Sequence, residues 1–327
     1  MRGIVITLAW LCLLGAPALA QPTPADPAAR PSWLAKDYRP PAGVDFRVVS
    51  IMSEGVRLHG ELFAPAARRG EKLPTVIMAH GWGGTAAGFR RDAAEMAQAG
   101  LQVLTFDYRG WGESDARLIL KDAQPTPIRG YIDPWEQVED WFNAINWAAG
   151  EPSVDITRLG LRGSSYSGGH VLYVAARDDR VKAIVSQVGG IAARPAAGAA
   201  PPPWWGQRHQ GGIAMARGEA GYPEPGARTV GALVGSPVGD KLVRWFPNED
   251  ARDVRAAALF ILAQNEELVD NKTNGELAFE RVQGPKKLVI IPSIKHYGIY
   301  GEARAEAVKL AIDWFHEHLK SAPGEGR

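Results

Sequence analysis

The stretch Arg158–Ala176, RLGLRGSSYSGGHVLYVAA, decides how the rest of the chain is read. It runs as a short strand, a turn crowded with small residues, and then a helix. When a buried strand passes directly into a helix, the apex residue takes a strained backbone conformation, and the residues two before and two after it must be small. Ser165 meets that demand, with Gly163 before it and Ser167 after it. Ser164 does not, because Arg162 and Tyr166 would fill the tight positions. Ser167 also has small neighbours, Ser165 and Gly169, so spacing alone leaves it open. A strand ending at Gly163 puts Ser165 at the apex and Ser167 in the first helical turn, where a hydroxyl caps or packs. Ser165 is therefore the candidate nucleophile. The competing reading is a plain Ser/Gly-rich helix start or an anion-binding loop.

Around this turn the chain keeps a βα rhythm. Apolar strands are expected at Thr75–Ala79, Leu101–Phe106, Leu159–Gly163, Val181–Val188, Ala257–Ala263 and Lys287–Pro292. Helices are expected at Ala86–Ala99, Pro134–Ala149, after Ser165, at Gly275–Val282 and at Glu302–Lys320. Continuous Val/Ile/Leu runs separated by helices predict an α/β fold with a mostly parallel sheet covered on both faces. Asp45–Met52 and Val56–Pro65, around a Ser-Glu-Gly turn, predict a hairpin at one edge of that sheet. The candidate nucleophile then sits at the carboxyl end of a central strand, where ligands bind in open α/β sheets.

The 327 residues carry 37 Lys+Arg against 36 Asp+Glu, a formal charge of +1, which gives no reason to invoke nucleic acid. Met1–Ala20 has one basic residue, an apolar run from Ile4 to Leu14, and Ala18-Leu19-Ala20 before Gln21, the pattern of a cleaved secretory signal. The run falls short of the ~20 apolar residues a spanning helix needs, so export to a periplasm or the medium is expected, without stable membrane insertion. The single cysteine, Cys12, lies inside that segment. A mature chain without it has no disulfide, thiolate metal site or cysteine nucleophile. The expected organisation is a signal at 1–20, a Pro/Ala-rich arm at 21–44, one domain at 45–320 and a tail at 321–327. Between about 190 and 254 an insertion interrupts the rhythm. Its Trp204, Trp205, Trp245 and Phe246 predict a cap over the site, the alternative being a surface excursion.

A serine hydroxyl needs a base. Of seven histidines, His296 follows the last strand in IPSIKHYGIY and so shares the carboxyl edge with Ser165. His59 belongs to the edge hairpin, His209 to the insertion, His170 to the nucleophile helix with its side chain directed into packing, and His316 and His318 to a solvated final helix. A base needs an acid to hold its tautomer. The turn ILAQNEELVDN after the penultimate strand supplies Glu266, with Glu267 and Asp270 as competitors. Oxyanion donors are worth roughly 3–4 kcal/mol each, and the main-chain N–H groups of Trp82, in His80-Gly81-Trp82-Gly83-Gly84, and Tyr166 are the candidates. A phosphate loop at that glycine run lacks its Lys-Ser/Thr pair. His80 is expected to stabilise the turn.

MAHGWGGT, FDYRGWGESD, GSSYSGGH, ILAQNEELVDN and IPSIKHYGIY, in that order over about residues 45–320, together resemble the α/β-hydrolase superfamily, and within it the dienelactone-hydrolase-like and Xaa-Pro-peptidase-like serine hydrolases. The resemblance implies an α/β-hydrolase fold, Ser165 as nucleophile, His296 as base, Glu266 as acid, Trp82 and Tyr166 as oxyanion donors, and Asp107, Arg109 and Asp115 as structural residues. Dienelactone hydrolases proper carry cysteine where Ser165 stands, and most relatives carry aspartate where Glu266 stands. The expected activity is hydrolysis of a carboxylic ester, with no metal or organic cofactor. The expected substrate is a small ester with an apolar or aromatic part, with Trp204, Trp205, Trp245 and Tyr297 as pocket residues. A peptidase, an amidase or an acyltransferase on the same residues is the alternative, as is a binding protein on the same scaffold.

Overall fold

The computed structural model describes residues 34–320 other than 35, 122, 197, 201–202, 223–227 and 231–232. The signal segment, most of the Pro/Ala-rich arm and the tail lie outside the described residues. Eight strands form the central sheet: β1 Val44–Ser53, β2 Val56–Pro65, β3 Leu73–Ala79, β4 Gln102–Phe106, β5 Val154–Ser164, β6 Val181–Gln187, β7 Ala257–Ala263 and β8 Lys286–Ile291. Their spatial order is β1-β2-β4-β3-β5-β6-β7-β8. The predicted hairpin β1/β2 lies at the edge and joins β4 antiparallel, and every later pairing is parallel.

The interior strands read as unbroken apolar runs because both faces are covered. Every residue of β3, LPTVIMA, and of β7, AALFILA, is buried. Helices α1 Arg90–Gln98 and α6 Arg304–His318 cover one face, where Met96, Ala97, Trp314 and Phe315 meet Val76, Val185 and Leu259. Helices α2 Pro134–Gly150, α3 Ser167–Ala175 and α5 Gly275–Arg281 cover the other, where Trp141, Ile145 and Leu172 meet Phe106 and Leu161. The start of α2 was legible: Asp133 accepts the N–H groups of Trp135 and Glu136 at 3.2 and 3.3 Å, with Pro134 in the first turn.

Two features differ from the sequence reading. The insertion contains a fourteen-residue helix, α4 Pro203–Ala216, which the sequence reading of a cap did not include. Gly206, Gly211, Gly212 and the preceding prolines hide it, since each is a poor helix former and the run has no strong apolar stripe. A small hairpin, Leu118–Lys121 with Gln124–Pro127, lies outside the main sheet, where its prolines break no central ladder.

Candidate active site

Because β3, β5, β7 and β8 run parallel, the loops leaving their carboxyl ends converge on one edge of the sheet. Ser165 follows β5 at the apex of the turn with φ 56°, a left-handed conformation that costs an ordinary residue about 1–3 kcal/mol. The strain is held by backbone bonds: Ser165 N–H donates to the Gln187 carbonyl at 2.8 Å, and the Ser165 carbonyl accepts from Gly168 and Gly190 at 2.8 and 2.9 Å. Gly163 has to be glycine, since a Cβ there would lie 2.1 Å from the Ser167 carbonyl oxygen. At Gly81 a Cβ would lie 2.6 Å from the Ser165 Cβ, so the loop after β3 presses directly on the serine.

His296 opens a short 3-10 turn, His296–Tyr300, after β8. Its Nε2 lies 3.0 Å from Ser165 Oγ, and its Nδ1 lies 2.9 Å from both carboxylate oxygens of Glu266. The side chains of His296 and Glu266 are 3% and 2% exposed, so this hydrogen-bonded row is shielded from water. The acidic competitors are engaged elsewhere. Glu267 accepts the His296 main-chain N–H at 2.8 Å and so holds the turn. Asp270 accepts the Lys272 N–H at 3.0 Å and caps Asn271–Thr273. Among the described residues no acceptor takes the main-chain N–H of Trp82 or Tyr166. Both residues border the serine.

Two cavities meet at Ser165 and His296. One, of about 330 Å³, is lined by the Gly81–Thr85 loop, Phe89, Val234, Tyr297 and Tyr300. The other, of about 440 Å³, is mainly apolar and is lined by Tyr166, Leu242, Trp245, Leu268 and Val269, with Arg208 at its wall. Trp82 and Leu233 face both. Of the expected pocket residues, Trp245 and Tyr297 are thus at the site. Trp205 lines neither cavity, because its indole lies against Phe246 and donates to His209 Nε2 at 2.6 Å. The side chain of Trp204 lies outside the described residues. Sequence reading missed Leu242, Leu268 and Val269; the last two are the apolar pair inside an otherwise polar turn, a signal that was available in EELVDN.

The remaining polar residues of the motifs hold turns. Asp107 accepts the N–H of Ala86 at 2.6 Å and of Glu113 at 2.9 Å, Arg109 pairs with Asp140 at 2.7 Å, and Asp115 pairs with Arg57 at 2.7 Å. His80 Nδ1 lies 2.9 Å from the Gly81 carbonyl oxygen. His316 is exposed as expected, whereas His318 packs on Trp314 at 4.0 Å between ring centres.

Ser167 is committed to the layer beneath. Its Oγ lies 2.9 Å from Tyr108 Oη, which lies 3.0 Å from His170 Nδ1 and accepts Trp141 Nε1–H at 2.8 Å. Burial pulls the His170 pKa down to about 3, and nearby His80 acts in the same direction. This value is below the ~6.5 of an exposed histidine. The stability contributed by keeping His170 neutral is therefore complete above pH ~6.5 and is lost as pH falls toward 3, by up to about 1.4 kcal/mol per unit. Urea midpoints measured from pH 7 to 4 should fall less steeply for His170→Gln than for the wild type. Parallel slopes would show that His170 does not carry the acid sensitivity.

The sheet order and the serine-bearing turn define the class: the protein is an α/β-hydrolase by fold. Within that class, residues 54–198 match the model of the X-Pro dipeptidyl-peptidase (S15) family. An uncharacterised 31.7 kDa protein of the traX-finO intergenic region of Escherichia coli is 41% identical over 122 residues, 36% of this chain and 37% of that one. The thiohydrolase aneE of Aspergillus aculeatus is 34% identical over 134 residues, 41% of this chain and 38% of that one. The chain thus spans less than two-fifths of the length of these curated relatives. The solved acetyl xylan esterase of Paenibacillus sp. R4 has a TM-score of 0.61 at 20% identity, covering 85% of this chain and 86% of its own.

Proposed function

We propose that the protein is an exported serine hydrolase that cleaves carboxylic esters through an acyl-enzyme on Ser165. The observation that carries this reading is the row Ser165 Oγ, His296 Nε2 and Glu266 carboxylate, with both contacts of the imidazole at 3.0 Å or less. In the first half-reaction His296 takes the Ser165 proton as Oγ attacks the ester carbonyl. The main-chain N–H groups of Trp82 and Tyr166 receive the oxyanion, and His296 returns the proton to the departing alkoxide. In the second, His296 deprotonates a water that attacks the acyl-enzyme, and Ser165 leaves with the proton. Glu266 keeps the Nδ1 proton in place and stabilises the imidazolium. The insertion acts as the cap, since Arg208, Leu233, Leu242 and Trp245 come from it. The mainly apolar larger cavity favours an acyl or alcohol group with an apolar or aromatic part. Export rests on Met1–Ala20 alone.

The test is fluorophosphonate labelling of the chain lacking residues 1–20, read by intact mass and peptide mapping. Adduct is expected on Ser165 of the wild type and of Ser167→Ala, and on neither Ser165→Ala nor His296→Ala. A folded wild type that takes no adduct would leave only the binding-protein reading. An acyl ester, a thioester and an N-terminal proline-dipeptide amide assayed side by side then separate esterase from peptidase, the thiohydrolase relative being the reason for the second substrate.

A further inference from the structure

Behind the nucleophile turn runs a line of polar side chains that the proposed ester chemistry does not use. Asp92 of α1 pairs through Oδ2 with Arg162 Nη2 at 3.0 Å and accepts Arg304 Nη1 through Oδ1 at 2.7 Å. Arg162 Nη2 also donates to Gln187 Oε1 at 2.9 Å. Gln187 Nε2 donates to Ser164 Oγ at 3.1 Å, and Ser164 Oγ lies 2.7 Å from Tyr300 Oη. Arg162 and Gln187 are each 1% exposed and Ser164 is fully buried.

The direction of the protons along this line follows from chemistry. A guanidinium has only donors, so Gln187 must turn its oxygen toward Arg162 and its amide nitrogen toward Ser164. Ser164 then accepts from Gln187 and still holds one proton of its own. Tyr300 Oη is the acceptor within its reach. If Tyr300 donated instead, the Ser164 proton would be left buried with no acceptor, an arrangement native interiors avoid. Tyr300 is the exposed member of the pair, 40% accessible and lining the smaller cavity, whereas Ser164 is fully buried. Burial pushes its pKa up to about 12, so the phenol is neutral throughout the physiological range.

The two ends of this bond matter. Ser164 is the residue before Ser165, and Tyr300 closes the turn that His296 opens. We propose that the Ser164–Tyr300 hydrogen bond, oriented through Gln187 by the buried Arg162–Asp92 pair, registers the histidine-bearing turn on the nucleophile strand and so positions His296 over Ser165. Ser164 and Tyr300 are positioning residues, and this role rests on the serine-hydrolase reading above. Glu267, which holds the His296 main chain, fixes the other end of the same turn.

The test is a double-mutant cycle on Tyr300→Phe and Ser164→Ala, read by fluorophosphonate labelling rate, by kcat and KM for p-nitrophenyl acetate, and by thermal melting. Each single variant should label roughly tenfold more slowly, because small displacements of a base cost large factors in rate. kcat should fall by the same factor with KM within about twofold, since phenylalanine keeps the ring in the cavity wall and only the bond is lost. The double variant should be no slower than the slower single, because one bond is removed once. Single variants that react at the wild-type rate, or a double variant whose loss is the product of the singles, would overturn the tether while leaving the hydrolase reading standing. A loss of rate that follows only a loss of melting temperature would also overturn it. A folded wild type inert to both reagents would overturn both.

Discussion

Glu266→Gln is expected to lower kcat for any ester the protein hydrolyses by about 10⁴-fold without unfolding it, the loss known for neutralising the acid beside a serine-activating histidine. The carboxylate meets Nδ1 with both oxygens at 2.9 Å, so it admits only the tautomer with its proton on Nδ1 and a free Nε2 facing Ser165. Glutamine can offer an N–H to Nδ1 instead, which moves the imidazole proton to Nε2 and removes the acceptor that Ser165 requires. It also leaves the imidazolium without a counter-charge in a shielded site. Asp270→Asn should stay within a few-fold of wild type, since Asp270 caps a different turn. Initial rates on the two variants, with circular dichroism to confirm folding, decide the matter. If Asp270→Asn proved the more damaging, the acid would be misassigned.

The largest effect on stability is expected from Gly163→Ala. The new Cβ would stand 2.1 Å from a main-chain oxygen and 2.9 Å from the Val171 Cγ1, and the first of these cannot be relieved by a rotamer change. Overpacking usually costs 1–3 kcal/mol, and a clash with backbone belongs at or above the top of that range, about 3 kcal/mol. For a chain of this size that lowers the melting temperature by roughly 4–5 °C. It should also remove fluorophosphonate labelling, because relief of the clash has to open the turn that presents Ser165. Gly150→Ala is the contrast. It ends α2 with nothing within 4 Å of the added atom, so its melting temperature should match or slightly exceed that of wild type. Calorimetry of the pair checks both. Similar behaviour of the two variants would show that the tightness of the turn is not what holds it.

The three turns that carry the hydrogen-bonded row were legible because each follows an apolar strand of a parallel sheet, so that position along the chain implied position in space. Ser165, Glu266 and His296 all stand just beyond strand ends. The choice between Ser165 and Ser167 needed the backbone: φ 56° at one, and a bond to Tyr108 at the other. Glu266 and its neighbours could not be separated by spacing, since three carboxylates within five positions have similar reach and only the course of the turn tells them apart. The insertion was the least legible part. Tryptophan content suggested burial without indicating a direction, which is why Trp245 reached the larger cavity while Trp205 turned to Phe246. Ser164 and Tyr300 gave no pattern at all, as they stand 136 positions apart and meet only because two strand ends do.

The strand order also bears on when the protein becomes reactive. The glycine loop and the serine lie before and at about the middle of the chain, whereas His296 stands 131 positions after Ser165, beyond the last strand to join the sheet. A nascent or truncated chain ending before β8 would present the strained turn with no imidazole above it. Reactivity is therefore a late event in the life of the chain, withheld until its C-terminal segment docks against β7. A polypeptide released early would carry the serine without its base.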